Sequence, residues 1–344
     1  MPALKKFRAL LLLPAALLLG GCDTLLLNAP GDVAAQQGRL IIVSTVLMLL
    51  IIVPVIALTC LFAWRYRQSN KDATYAPDWD HSTALELVIW AAPLLIIIAL
   101  GAVTWINTHT LDPYRPLRRI DAERAVSADV KPLVVQVVAL DWKWLFIYPE
   151  LGIASVNELA APIDVPISFK ITGSSVMNSF YIPALAGQIY AMPGMETQLH
   201  AVMNKPGVYD GFSANYSGAG FSNMRFKFHG LSGADFDRWV QGAKASGNTL
   251  GRDAYLQLEK PSEREPVKRY ASVAPDLYER ILNRCVDAKK MCMNQVMAID
   301  ARRLGSTEAY RVAALDRRHY VEALACTPAN PEGRPVLRAD SLKQ

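Results

Sequence analysis

Basic charge is thin along this chain of 344 residues. No run of five or more Lys/Arg occurs, and the formal net charge is only +5. The basic stripe that marks a nucleic-acid surface is therefore missing, and nucleic acid is excluded as a partner. Cysteine is scarce as well, with five in all: Cys22, Cys60, Cys285, Cys292 and Cys326. No two form C-x-x-C, and none forms the C-x-x-C-H motif that attaches haem covalently. Charge is absent altogether from Leu40–Trp64. What fills the space is apolar: hydrophobic residues make up 52% of the chain. That is high for a soluble protein and fits one with a small membrane part. The length allows two or three units.

The first 21 residues read as a signal peptide. Lys5, Lys6 and Arg8 are followed by the apolar run Ala9–Leu19, which is too short to span a bilayer. Leu19-Gly20-Gly21-Cys22 then resembles a bacterial lipobox. In such a motif the cysteine is lipidated and the preceding peptide removed. Each buried CH₂ of an acyl chain contributes about 0.8 kcal/mol to membrane attachment. Membrane lipid is thus an expected partner, bound through Cys22.

Residues 22–39 are expected to lie outside the cytoplasm, where Cys22 must be for lipidation. The first transmembrane helix is expected over 40–64, long enough to cross a hydrocarbon core of ~30 Å with some tilt. Residues 65–83 then form a cytoplasmic loop whose Arg65, Arg67 and Lys71 obey the positive-inside bias. A second helix over 84–107 returns the chain, and 108–131 reads as a linker. Glu86 sits one turn into that second helix. An ionisable group in a membrane span is a functional candidate; it is also a residue that favours a helix N-terminus or reaches back to the interface. His81-Ser82 just before it suits a cap.

Residues 132–230 carry strand signals at short spacing: Leu133–Leu140, Trp142–Tyr148, Val165–Thr172, Ser179–Ile182, Gln188–Ala191, Thr197–Val202 and Gly207–Ala214. Breaks at Pro183, Pro193-Gly194 and Pro206-Gly207 separate several of them, which predicts a β-sandwich or barrel. Trp142 and Trp144, two apart, fall on one strand face as core or interface aromatics. His200, flanked by Leu199 and Ala201, reads as structural. Beyond Phe228 the period changes, and Asp235–Lys244 reads as an amphipathic helix.

The loop Phe212–Met224, FSANYSGAGFSNM, can be read simply as a polar turn. Against the pattern C-x-E-x-C-x3-H-x2-M it aligns Ser213, Asn215, Ser217, Phe221 and Met224, with Asn178 at the place of an upstream His. That pattern holds a two-copper centre in subunit II of cytochrome c oxidases. Copper needs thiolate and imidazole ligands, and only Met224 remains as a donor. With the lipobox, the hairpin, HSTALELVIWAAP, DWKWLFIYPELGIASVNELAAP and SVMNSFYIPALAGQIYAMPGM, the chain over roughly 15–245 resembles subunit II of the haem-copper oxidases, and among them the bo-type ubiquinol oxidases.

The resemblance implies a membrane-anchored all-β chain: a two-helix hairpin plus a periplasmic cupredoxin-like sandwich or barrel, without copper; residues 231–344 read, from their own pattern, as a C-terminal helical extension and tail. It implies a place in the bacterial inner membrane in a complex with subunits I, III and IV. No cofactor is expected on this chain; haems and copper are expected in partner subunit I, with ubiquinol as substrate and no role for cytochrome c. The acidic residue matching Glu86 stands at the cytoplasmic mouth of a proton path into subunit I.

The resemblance does not reach the C-terminal region. Arg252–Arg269 reads as a charged surface segment, and Pro275–Met297 as a helix with Leu277, Ile281, Leu282 and Cys285 in a stripe. On one helix Cys285 and Cys292 would stand ~10 Å apart, too far to bridge. One of them could pair with Cys326 instead. Together with Met291 and Met293 they could also bind Cu(I), which leaves a lipid-anchored copper-binding or chaperone protein as the alternative function. The segment from Thr327 reads as a tail.

Overall fold

A computed structural model describes residues 28–74, 76, 78–127 and 129–303. Cys22, its lipobox, Cys326 and the segment from Thr327 lie outside the described residues.

Two long helices come first. Helix α1 spans Asp32–Arg65 and α2 spans Thr83–Thr110. Both expose large apolar side chains along their length, among them Leu50, Ile56, Leu87 and Trp90. In water such faces would be unstable; in hydrocarbon they are at home. Helix α1 starts eight residues before the predicted apolar span. Its first turns are polar and are docked on the β-domain rather than in lipid. Gly31 N donates to Ala184 O at 2.9 Å, Ala34 N to Leu185 O at 3.3 Å, and Asn204 N to Pro30 O at 3.0 Å. A Cβ on Gly31 would meet Leu185 O at 2.7 Å, so this approach needs glycine. Asp32, buried at the same point, takes two hydrogen bonds from Arg119, each 2.9 Å.

The β-domain is built from β1 (Leu133–Leu140), β2 (Lys143–Tyr148), β3 (Ile153–Val156), β4 (Glu158–Pro162), β5 (Ile167–Gly173), β6 (Asn178–Tyr181), β7 (Ile189–Ala191), β8 (Thr197–Ala201), β9 (Gly207–Ser213) and β10 (Arg225–Leu231). One sheet runs β3-β2-β1-β5-β8 and the other β4-β10-β9-β6-β7. β1 and β5 pair in parallel, as do β10 and β4; the remaining pairs of these two sheets are antiparallel. Between the sheets lie Trp144, Phe146, Phe169, Phe180 and Phe226, with Phe180 stacked on Phe226 at 5.5 Å. Burying one such ring contributes about 1.5–3 kcal/mol. β3 and β4, which the sequence reading did not single out, meet at Asn157. Its φ of 56° turns the chain from one sheet into the other. Its Oδ1 accepts from Trp144 N at 2.9 Å, and its Nδ2 donates to Glu265 O at 2.8 Å.

Helix α3 (Gly233–Lys244) follows, capped by Ser232, whose Oγ accepts from Asp235 N at 3.2 Å. Phe236, Trp239, Val240 and Ala243 form its buried face. The Arg252–Arg269 stretch is not merely a charged surface segment. It forms helix α4 (Arg252–Glu259) and leads into a strand, Lys268–Tyr270, that pairs antiparallel with β3 and completes the first sheet's edge. A two-stranded parallel ladder (Thr249–Leu250 with Ser272–Val273) and the short helix α5 (Leu277–Leu282) close this unit, which ends at Leu282.

The second unit begins at Asn283. Here the structure corrects the single helix expected over Pro275–Met297. The helix stops at Leu282, and the next begins only at Met293 (α6, Met293–Arg303). Arg284 takes a positive φ of 56° in the intervening turn, and Met293 N donates to Asn283 O at 2.9 Å. The turn brings Cys285 and Cys292 to a Cα separation of 4.8 Å, and they form a disulfide. The ~10 Å separation assumed a continuous helix. Neither cysteine is left to pair with Cys326, and in this bridge neither thiol is available as a copper ligand. Cys60, exposed on α1, is the free cysteine among the described residues.

Candidate functional site

The loop between β9 and β10 is closed by its own polar groups. Ser213, the last residue of β9, donates from Oγ to Asn178 Oδ1 at 3.0 Å, and its backbone N donates to Met224 O at 3.2 Å. Asn178 Nδ2 reaches Val176 O at 3.2 Å, and Asn215 Nδ2 reaches Met177 O at 3.2 Å. Asn178, Ser213 and Met224 are buried. The structure thus brings Asn178, Ser213, Asn215 and Met224 to one end of the second sheet. Ser217 and Phe221 are turned to other tasks: Ser217 offers its carbonyl to Trp142, and the Phe221 ring meets Tyr216 edge-on at 5.8 Å. A cavity of about 220 Å³ lies beside the loop, between Phe212, Ser213, Phe221 and Arg225.

This donor set does not fit copper. Its hydroxyl and amide groups are neutral, hard and already hydrogen-bonded to one another. A soft metal ion needs thiolate or imidazole there, and one buried thioether supplies neither charge nor a second ligand. Among the described residues, no three His, Cys, Asp or Glu side chains gather as a metal site.

Trp142 is the residue whose role here the sequence reading missed. Its strand begins only at Lys143, so Trp142 and Trp144 do not share a strand face. Trp144 is fully buried between the sheets. Trp142 instead lies in the turn, half-buried, and its Nε1 donates to Ser217 O at 2.9 Å. A Cβ on Gly220 would come within 2.5 Å of the indole, and one on Gly218 within 2.9 Å. The two glycines therefore admit the ring against the loop backbone, and Gly218 also holds a φ of +115°. Their spacing in SGAG was the available signal.

At the opposite end of the chain's membrane part, Glu86 lies in the first turn of α2. Its backbone N donates to Ser82 O at 2.9 Å. Its Oε1 lies 2.7 Å from Nδ1 of His81, and His81 Nε2 lies 3.2 Å from Thr83 Oγ1. The carboxylate is about half exposed, at 51%. A carboxylate at a helix N-terminus is favoured by the orphan N–H groups there, and this one is also held by an imidazole. Ser82 occupies the cap position with extended backbone, without a side-chain cap bond. His200 lies on β8, and burial lowers its pKa below the usual imidazole value.

Residues 150–229 match the family described as "Cytochrome C oxidase subunit II, periplasmic domain", and residues 244–289 match the "COX Aromatic Rich Motif". The chain is 53% identical over 268 residues to cytochrome bo(3) ubiquinol oxidase subunit 2 of Pseudomonas putida, covering 78% of this chain and 82% of that protein. It is 51% identical over 270 residues to ubiquinol oxidase subunit 2 of Acetobacter aceti, covering 78% of this chain and 85% of that one. Among solved structures, the periplasmic domain of subunit II of cytochrome oxidase from Bradyrhizobium japonicum aligns at 25% identity and a TM-score of 0.32. That alignment covers 35% of this chain and 96% of the other.

Proposed function

The chain belongs to the ubiquinol oxidase subunit 2 family, and from that membership we propose how its own residues serve the enzyme. It is a subunit of a respiratory terminal oxidase, anchored in the inner membrane by two helices, with its β-domain in the periplasm. The observation that carries this assignment is 53% identity across 82% of a ubiquinol oxidase subunit 2.

In the proposed mechanism this chain carries no redox centre. Partner subunit I would hold the haems and copper that supply the oxygen-reducing chemistry, with ubiquinol as electron donor within the membrane. The β-domain needs no copper relay from a soluble donor such as cytochrome c, which is consistent with the hydrogen-bonded Ser213–Asn178 closure where ligands would stand. Subunits III and IV complete the assembly. Glu86 acts at the cytoplasmic face: its carboxylate takes protons from water and passes them into subunit I along a path containing a lysine. His81 holds the carboxylate, its Nδ1 2.7 Å from Oε1. Cys22 carries acyl chains that add a lipid anchor, and Cys22→Ala would remove that mass from the mature N-terminus in mass spectrometry.

The experiment is extraction of the tagged chain from its native membrane in mild detergent. Haems co-purifying with it, about one copper per two haems, and ubiquinol-driven oxygen uptake are the expected result. A chain that emerges alone and free of haem would overturn the assignment.

A further inference from the structure

A second cavity, about 280 Å³, opens where the periplasmic ends of α1 and α2 meet the β-domain. We propose that it binds the phosphodiester headgroup of one membrane phospholipid, held by Arg115 and Arg118. The proposal rests on the membrane placement argued above.

Depth is the first argument. Trp105 is 69% exposed on α2 and marks the water interface, where tryptophan is enriched. Helix α2 ends five residues later at Thr110, ~7.5 Å further out at helical rise. The headgroup layer occupies roughly 5–7 Å on each side of the hydrocarbon core. Thr110, Asp112, Pro113 and Arg115–Arg119 therefore line the cavity at the outer edge of the headgroup layer, outward of the exposed apolar side chains Trp105 and Ile106.

Charge is the second. The lining holds Arg115, Arg118 and Arg119 against Asp32 and Asp112, three positive groups against two negative, an excess of one. A phosphodiester carries one negative charge. Arg119 is already spent in its two 2.9 Å bonds to Asp32, which Gln36 also holds at 2.7 Å. Arg115 gives one N–H to His109 O at 3.1 Å and keeps the rest of its five donors. Arg118 has no side-chain partner among the described residues. These two guanidinium groups are therefore the ones free to take phosphate oxygens, for which their planar forks are suited. His200 is also in the wall, where burial lowers its pKa and so disfavours the charged form.

Size is the third. The cavity falls just under the ~300–1,000 Å³ of sites that enclose a whole drug-sized ligand. It takes a headgroup and leaves the acyl chains outside. Free inorganic phosphate shares the headgroup's chemistry, so the test must separate the two.

The test uses the whole oxidase. Complexes carrying wild-type chain, Arg118→Gln, Arg115→Gln or both are washed extensively in detergent, and retained phospholipid is counted per haem by mass spectrometry. Wild type is expected to keep about one phospholipid more than each variant and than the double variant, with haem and subunit ratios unchanged. Washing wild type in millimolar inorganic phosphate is expected to leave that lipid in place. Equal lipid counts in all four complexes would overturn the proposal. So would displacement of the lipid by phosphate, which would make the site one for a free anion. So would loss of a partner subunit with no change in lipid, which would make the pocket a protein contact. Arg118 is exposed and unpaired, so Arg118→Gln keeps the test open even if Arg115→Gln fails to assemble. Loss of the haem-bearing subunit from wild type itself would instead mark failure of the oxidase assignment.

Discussion

The indole Nε1 of Trp142 donates to the carbonyl of Ser217 at 2.9 Å, across 75 positions of sequence. A turn residue at one end of the first sheet thus fixes the Phe212–Met224 loop. The loop is held by this contact and by the Ser213–Asn178 hydrogen bond.

Gly220→Ala tests the first of those contacts. The new Cβ would lie 2.5 Å from the Trp142 ring and 2.8 Å from Glu263 Cγ. The indole is hydrogen-bonded and cannot retreat without breaking that bond. Overpacking of this kind costs about 1–3 kcal/mol. Thermal unfolding should show a lower Tm, and amide exchange should quicken in residues 214–224. A change of Tm within error would show that the indole can move freely.

Lys143 tests how the extension is fastened. Its ammonium is buried and donates to Asp141 O at 3.0 Å, Lys260 O at 2.8 Å and Ser262 Oγ at 2.7 Å. Burial pulls its pKa down, opposed by Glu265 and Asp141. Lys143→Met keeps the stem and strands the acceptors, at a cost of about 2–3 kcal/mol. Faster proteolysis within 260–265, with a lower Tm, is the expected result; unchanged cleavage would mean that other contacts hold the segment.

These contacts explain what the sequence could and could not reveal. Leu133–Leu140 was legible to the residue because its β-branched run, buried on both faces over Val137–Leu140, has the pattern of an interior strand. The membrane helices were legible from length and apolarity, but the start of α1 was not. Asp32 and Gln36 look like solvent residues until Arg119, 87 positions away, is seen to pair with Asp32. β3 and β4 were hidden by small residues and by the turn at Asn157. The Cys285–Cys292 bridge is not legible because the periodicity of Leu277–Leu282 does not show the turn that follows it. Glu86 could be picked out because charge in an apolar helix stands alone, and its imidazole partner lies only five residues away.

Acid sensitivity should centre on Glu158. Burial raises its pKa, but hydrogen bonds and charge from Arg269, with Trp239 and His229 adding, outweigh burial and leave it below the ordinary glutamate value. Arg269 reaches it through two bonds, 2.7 and 2.8 Å. A carboxyl with a depressed folded pKa stabilises fully above its unfolded value, about 4.3. That contribution fades as pH falls through the folded pKa. Wild-type Tm should therefore be steady above about pH 5 and fall steeply below about 4. Glu158→Gln should be less stable at pH 7 by about 2–3 kcal/mol and show a shallower acid slope. An unaltered slope would place the acid response on other carboxylates.

Glu86 bears most directly on function. Glu86→Gln preserves shape and removes the titrating group, so the complex should assemble with normal haem content. If Glu86 admits protons, ubiquinol-driven oxygen uptake should fall by about tenfold, equivalent to ~1.4 kcal/mol on the limiting barrier. His81→Ala leaves the carboxylate in place but removes the group 2.7 Å from it. Its effect should be smaller and largest at high pH, where bulk protons are fewest. Combined, the two changes should cost no more than Glu86→Gln alone, because His81 acts through Glu86. Additive losses would show that His81 has a separate task. Full turnover in Glu86→Gln would remove the carboxylate from the proton path, leaving it as a helix-end residue stabilised by the backbone N–H groups of α2.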